Sequence, residues 1–135
     1  MILVDTSVII GYLKGKPGAP YSHLDAIVEH KVPFGICNYV YQELLQGTKT
    51  EKEFRELKEY LDDLTFYDLR NGRKSYEDCA LLYAKCRRAG VTVRSTIDVI
   101  IAQIAIENDL HLLHDDNDYI NIANVIKDLK LISWQ

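Results

Sequence analysis

Between Thr96 and Glu107 the chain reads TIDVIIAQIAIE, and at helical spacing Ile97, Val99, Ile100, Ile101, Ala102, Ile104, Ala105 and Ile106 leave almost no polar face. A helix that is apolar all round must be covered on most of its sides, which demands layers of other structure packed around it. Short branched runs at Ile2-Leu3-Val4, 32–37, 64–69, 111–113 and 131–132 read as strands, and most of the chain between them has helical spacing. Strands alternating with helical segments favour a parallel sheet with helices on both faces.

The helical segments carry their own patterns. Asp5-Thr6-Ser7 supplies capping chemistry for a helix over 8–13, and Gly15-Lys16-Pro17-Gly18 ends it. Leu24, Ile27 and Val28 give the next helix an apolar stripe. Over 38–46, Val40, Tyr41, Leu44 and Leu45 pack inward while Tyr39 and Glu43, four apart, share a face. Residues 51–61 are charged and amphipathic, with Phe54, Leu57 and Leu61 at helical spacing. A helix running from about Ser75 to Arg88 is expected to turn Ala80, Leu81, Ala84, Cys79 and Cys86 inward and to stop at Gly90. Residues 115–118 read as an acidic turn, and 120–125 as a short helix or turn.

A length of 135 residues with 47% hydrophobic content suits one core, so a single domain over 1–135 is expected. No apolar stretch approaches the roughly 20 residues of a membrane span, and the opening lacks the basic and long apolar regions of a signal peptide, so a soluble cytoplasmic protein with no membrane association is expected. Cys37, Cys79 and Cys86 form no CxxC and read as reduced core thiols. The net charge of −4 argues against nonspecific nucleic-acid binding, but between 69 and 94 seven basic residues (Arg70, Arg73, Lys74, Lys85, Arg87, Arg88, Arg94) face two acids, Glu77 and Asp78. Such a run would position phosphates; a solvated helix face is its plainer use.

Four acids stand at the edges of these elements. Asp5 ends the first strand, Asp116 follows the strand at 111–113, Asp98 lies in the first turn of the apolar helix, and Glu43 lies inside its own helix. In an open parallel sheet, ligands collect beyond the carboxyl ends of the strands. Taken singly, Asp5 is as readily a helix cap, Asp98 a dipole partner, Glu43 a surface residue, and Asp115, Asp116 and Asp118 a polar turn. Together they suggest an acidic pocket for a cation, since gathered carboxylates raise one another's pKa unless a cation relieves them.

The blocks ILVDTSVII, YVYQEL, STIDVIIAQIA and LLHDDNDYINI occur in this order along essentially the whole chain. Together they resemble the PIN-domain ribonucleases, most closely the VapC-type toxins of bacterial and archaeal toxin-antitoxin pairs. The resemblance implies a PIN-like three-layer α/β/α fold with a central, mostly parallel sheet. It further implies that Asp5, Glu43, Asp98 and Asp116 are catalytic acids binding Mg²⁺ or Mn²⁺, with Asp118 as reserve ligand and Thr6 and Ser7 as helpers positioning substrate or water. His114 stands where the family usually has Thr or Ser, so imidazole replaces a hydroxyl there.

The implied function is a metal-dependent endoribonuclease, the toxin of a type II pair, with RNA as substrate, a cognate antitoxin as partner and a homodimer as the common assembly. Oxygen-only ligands suit Mg²⁺ or Mn²⁺ better than zinc, and His23, His30, His111 and His114 show no zinc spacing. Tyr12, Phe34, Tyr39 and Tyr41 are candidates for an antitoxin groove or an RNA-stacking surface, with core packing the plainer use for most. The alternatives are a phospho-acceptor α/β domain, which would want an acid where Ser7 stands, and a PIN-like fold that only binds, against which the four intact acids argue.

Overall fold

The computed structural model describes residues 1–132, and 133–135, the end of the expected domain, lie outside the described residues. Its middle strand, β1 (Ile2–Val4), has Leu3 and Val4 wholly buried, as a strand covered on both faces requires. It pairs in parallel with β2 (Phe34–Ile36) on one side and β4 (His111–Leu113) on the other. β3 (Thr65–Phe66) extends the sheet beyond β2, and β5 (Lys130–Leu131) extends it beyond β4. The order is therefore β3-β2-β1-β4-β5 with every pairing parallel, sharpening the expected mostly parallel sheet.

Helices α1 (Thr6–Leu13) and α2 (Ala19–Glu29) connect β1 to β2, and α3 (Asn38–Gln46) and α4 (Glu51–Asp62) connect β2 to β3. The chain then crosses back through α5 (Arg73–Arg88) and α6 (Thr96–Glu107) to β4, and α7 (Asn117–Val125) leads on to β5. Right-handed crossovers put the outward-stepping helices on one face and the returning ones on the other. The packing agrees: α1 meets α2 and α3, and α3 meets α4, whereas α5, α6 and α7 pack on one another. Among the described residues no helix is long and apolar enough to cross a membrane.

The apolar helix lies where its composition demands. Every residue of α6 from Val99 to Ala105 is buried, including Gln103, whose amide donates to Glu107 at 2.9 Å. Glu107 also accepts the Ser75 hydroxyl at 2.9 Å and the Arg70 backbone N–H at 2.7 Å. Burial pushes its pKa up, yet these three donors outweigh that and hold it below the usual range. The end of α6 is thereby fastened to the loop that opens α5.

Three local expectations change. On α5 the inward residues are Ser75, Cys79, Leu82 and Cys86, with Ala80 and Leu81 exposed. At 100° per residue, positions 79, 82 and 86 share a stripe, while 80 and 81 fall on the opposite side. The strand expected over 64–69 shortens to Thr65–Phe66, and α7 begins at Asn117 because Asp116 caps it instead of sitting in a free turn.

Gly35 in β2 holds the sheet together by having no side chain. A β-carbon there would stand 2.5 Å from the Thr65 carbonyl oxygen of β3 and 2.5 Å from the Tyr67 ring. Backbone cannot yield as a flexible side chain does, so overpacking should be felt in full. Gly35→Ala is expected to lower unfolding free energy by about 2 kcal/mol or more, read from urea denaturation midpoints; an unchanged midpoint would contradict this account of the β2–β3 approach.

Candidate functional site

The direction of chain travel reverses between β1 and β4, and the crevice at such a switch point is where an open parallel sheet offers a site. The backbone N–H of Asp5 donates to Leu113 O at 3.0 Å, carrying the β1–β4 pairing one step past the strand ends. Asp5 caps α1, its Oδ2 accepting the Ser7 hydroxyl at 2.9 Å and facing the Ser7 N–H at 3.5 Å. Asp116 caps α7, its Oδ1 accepting the Asp118 N–H at 2.9 Å. Asp98 stands in the first turn of α6, where the helix dipole favours an anion.

Ligand oxygens of Asp98, Asp116 and Asp118 lie within 4.8 Å of one another. Asp5 joins this group through Tyr119, whose hydroxyl is 3.2 Å from Oδ1 of Asp5 and 3.2 Å from Oδ1 of Asp98. Glu43 stands outside the tight group; its Oε1 accepts the Thr6 hydroxyl at 3.0 Å, next to Asp5 in sequence. The hydroxyls of Thr6 and Ser7 are thus both directed at carboxylates. Asp115 is drawn away by a hydrogen bond from the Tyr21 hydroxyl of α2.

Crowding shows in the proton affinities. Asp98 is pushed up to about 6, first by burial and then by the charges of Asp5, Asp116 and Asp118. Asp5 is also raised, by burial, against the lowering effect of its bonds from Ser7 and Tyr119. Asp118 is answered by Arg94, whose Nε reaches Oδ2 at 3.3 Å and whose Nη2 reaches Oδ1 at 3.2 Å. Of the basic run, Arg94 is the member hydrogen-bonded to this group: Lys74 pairs with Asp78, Arg87 covers the Tyr83 ring, and the Arg88 Nε bonds back to the Ala84 carbonyl.

His114, the expected imidazole in place of a hydroxyl, bonds within the same loop. It is buried, burial holds its pKa down, and its Nδ1 accepts the Asp116 N–H at 3.1 Å. The three cysteines are buried free thiols, and Cys79 is pushed up to about 11, chiefly by burial, so they are inert packing residues. Tyr12 and Phe34 line an apolar groove with Leu13, Leu57 and Tyr60, whereas Tyr41 packs edge-on against Phe66 at 5.3 Å and Tyr39 lines a separate hollow with Tyr76. Tyr119 and Arg94 are the site residues that pattern-reading missed. Tyr119 shares the apolar spacing of its helix, and Arg94 was one of seven cations with nothing local to set it apart.

The PIN domain family model matches residues 2–125, and the chain belongs to that family. It is 27% identical over 126 residues to VapC ribonuclease Mb1587 of Mycobacterium bovis and to ribonuclease VapC11 of Mycobacterium tuberculosis, covering 93% of each chain in both cases. Its fold is similar to that in VapBC2 of Rickettsia felis bound to a promoter DNA fragment (TM-score 0.74, 21% identity, 100% of both chains). It is likewise similar to VapBC-1 of nontypeable Haemophilus influenzae (TM-score 0.71, 18% identity, 99% of this chain and 98% of that one).

The raised proton affinity of Asp98 gives a direct expectation for the metal-free protein. Folding binds this proton more tightly than the unfolded chain does, so the group's stabilising contribution is complete below about 3.8 and is lost as pH rises through about 6. In chelator, Asp98→Asn should therefore gain on the wild type by on the order of 2 kcal/mol between pH 4 and pH 7.5, allowing for partial exposure. Denaturant titrations at the two pH values read this; a constant difference would mean that Asp98 is not crowded.

Proposed function

We propose that this protein, as one domain over 1–135, is a divalent-metal-dependent endoribonuclease and the toxin of a type II toxin-antitoxin pair. The observation that carries the reading is the convergence of Asp98, Asp116 and Asp118 within 4.8 Å, with Asp5 tied to Asp98 through Tyr119, at the switch point of a PIN domain. The relatives named as ribonucleases and the solved VapBC complexes support the activity and an antitoxin partner.

The residues present fit a hard cation. Every donor is a carboxylate oxygen, the set that suits Mg²⁺ or Mn²⁺, and the raised affinity of Asp98 for a proton marks positive charge the protein does not itself supply. Asp5, Glu43, Asp98 and Asp116 would hold the ion. Asp118 is the reserve, because Arg94 engages both its oxygens while Asp116 spends one oxygen on its cap. When bound, the ion supplies a polarised water and neutralises charge developing at the phosphodiester. Ser7 and Thr6 orient Asp5 and Glu43, and through them any water or substrate held there. We assign the exposed guanidinium of Arg94, beside Asp118, to a backbone phosphate, a ligand that a planar fork suits.

The groove containing Tyr12 and Phe34 is the surface we assign to the antitoxin, and exposed Tyr76, Leu81 and Tyr83 are apolar residues available to a homodimer. RNA and antitoxin together favour a cytoplasmic setting. A phospho-acceptor role is disfavoured because Ser7 occupies the position of the second acid and donates its hydroxyl to Asp5.

The test is cleavage of total RNA by the purified protein with Mn²⁺ or Mg²⁺, with chelator, and with Asp5→Asn and Asp98→Asn. Chelation should abolish cutting, and each substitution should reduce it by roughly a hundredfold or more, since weakening the ion's hold forfeits several kcal/mol of transition-state stabilisation. Cutting that persists in chelator, or in both variants, would remove the metal mechanism.

A further inference from the structure

Tyr119 is wholly buried, with its ring 5.3 Å from that of His114, and a phenylalanine would fill the same space. What the hydroxyl adds is polar. A phenol carries one proton, yet this one lies 3.2 Å from a carboxylate oxygen of Asp5 and 3.2 Å from one of Asp98, on two elements that meet only through the fold. Asp5 follows β1 and Asp98 lies in the first turn of α6, and left alone their like charges would push them apart.

We infer that the Tyr119 hydroxyl is a positioning group, reaching from the core to set the separation and orientation of Asp5 and Asp98 before a cation arrives. This rests on the metal-binding reading of the site. Ser7 fixes the other oxygen of Asp5, so that carboxylate is held at both ends, whereas the hydroxyl is the one hydrogen-bond donor seen on the Asp98 side chain among the described residues. Groups that orient ligands from behind usually set metal affinity by 10–100-fold. Two other roles are physically possible for the same contact. A hydroxyl standing where the ion belongs would compete with it, and a hydroxyl that merely needed a buried acceptor would leave the ion indifferent.

Tyr119→Phe separates the three. Mn²⁺ binding to the metal-free protein, followed by the electron paramagnetic resonance signal of the free ion, is expected to weaken by about 10–100-fold. The Mn²⁺ concentration giving half-maximal RNA cleavage should rise by the same factor, with the smaller effect on the maximal rate. Far-ultraviolet circular dichroism in chelator controls for folding, and the rise in melting temperature on adding excess Mn²⁺ should return in the variant at higher ion concentrations. Unchanged or tighter Mn²⁺ binding would overturn the inference, as would a fall in maximal rate without a shift in Mn²⁺ dependence. A wild type that binds no Mn²⁺ would overturn this inference and the metal reading together; a wild type that binds it equally with the variant would overturn the inference alone.

Discussion

Like-charge repulsion among carboxylates held at the carboxyl end of a parallel sheet is the constraint that the rest of the structure answers. Three of these groups approach within 4.8 Å, and a fourth is joined to them by one hydroxyl. Each acid is met differently. Arg94 neutralises Asp118, the start of α7 occupies an oxygen of Asp116, Ser7 and Tyr119 hold Asp5, and Thr6 holds Glu43. Of these answers the one to Asp118 brings a positive charge; Asp98, half-buried and close to Asp5, Asp116 and Asp118, has its proton affinity raised first by burial and then by those charges. A protein selected only for stability would have little reason to keep such a group charged; a cation site does.

Holding these charges in place requires rigid supports, and the topology provides them. β1 and β4 are adjacent and parallel, so their carboxyl ends lie side by side, and the Asp5–Leu113 backbone bond extends that alignment to the first acid. The apolar character of α6 serves the same end. A helix buried from Val99 to Ala105 cannot tilt without opening the core, so its first turn, and with it Asp98, is fixed by packing throughout its length. The Glu107 cluster secures the opposite end of that helix by hydrogen bonds to Arg70, Ser75 and Gln103.

Much of this was legible because it depends on pattern. The apolar run of α6, the strand at β1 and the acids at element boundaries are one-dimensional signals, and the layered parallel architecture follows from their alternation. What escaped depends on contacts between distant segments. Leu82, and not Ala80 or Leu81, faces inward because the buried stripe of α5 runs through Ser75, Cys79, Leu82 and Cys86, a period that the apolar pair at 80 and 81 obscures. Arg94 looks like any member of a basic run until the fold brings it to Asp118, 24 positions on. Tyr119 meets Asp5 across 114 positions, and no local spacing distinguishes its hydroxyl from the ring of a core aromatic.

His114, standing where the resemblance leads one to expect Thr or Ser, makes a local bond of its own. Its burial favours the neutral imidazole, and a neutral imidazole has one ring nitrogen free to accept. Nδ1 accepts the N–H of Asp116, which sits just outside the first turn of α7 and has no partner within the helix. Burial, by favouring the neutral imidazole, disfavours a positive charge at His114 beside the carboxylates. Asp116 thus stands beside Asp98 and Asp118 with its backbone N–H taken by His114 and its Oδ1 committed to the helix cap.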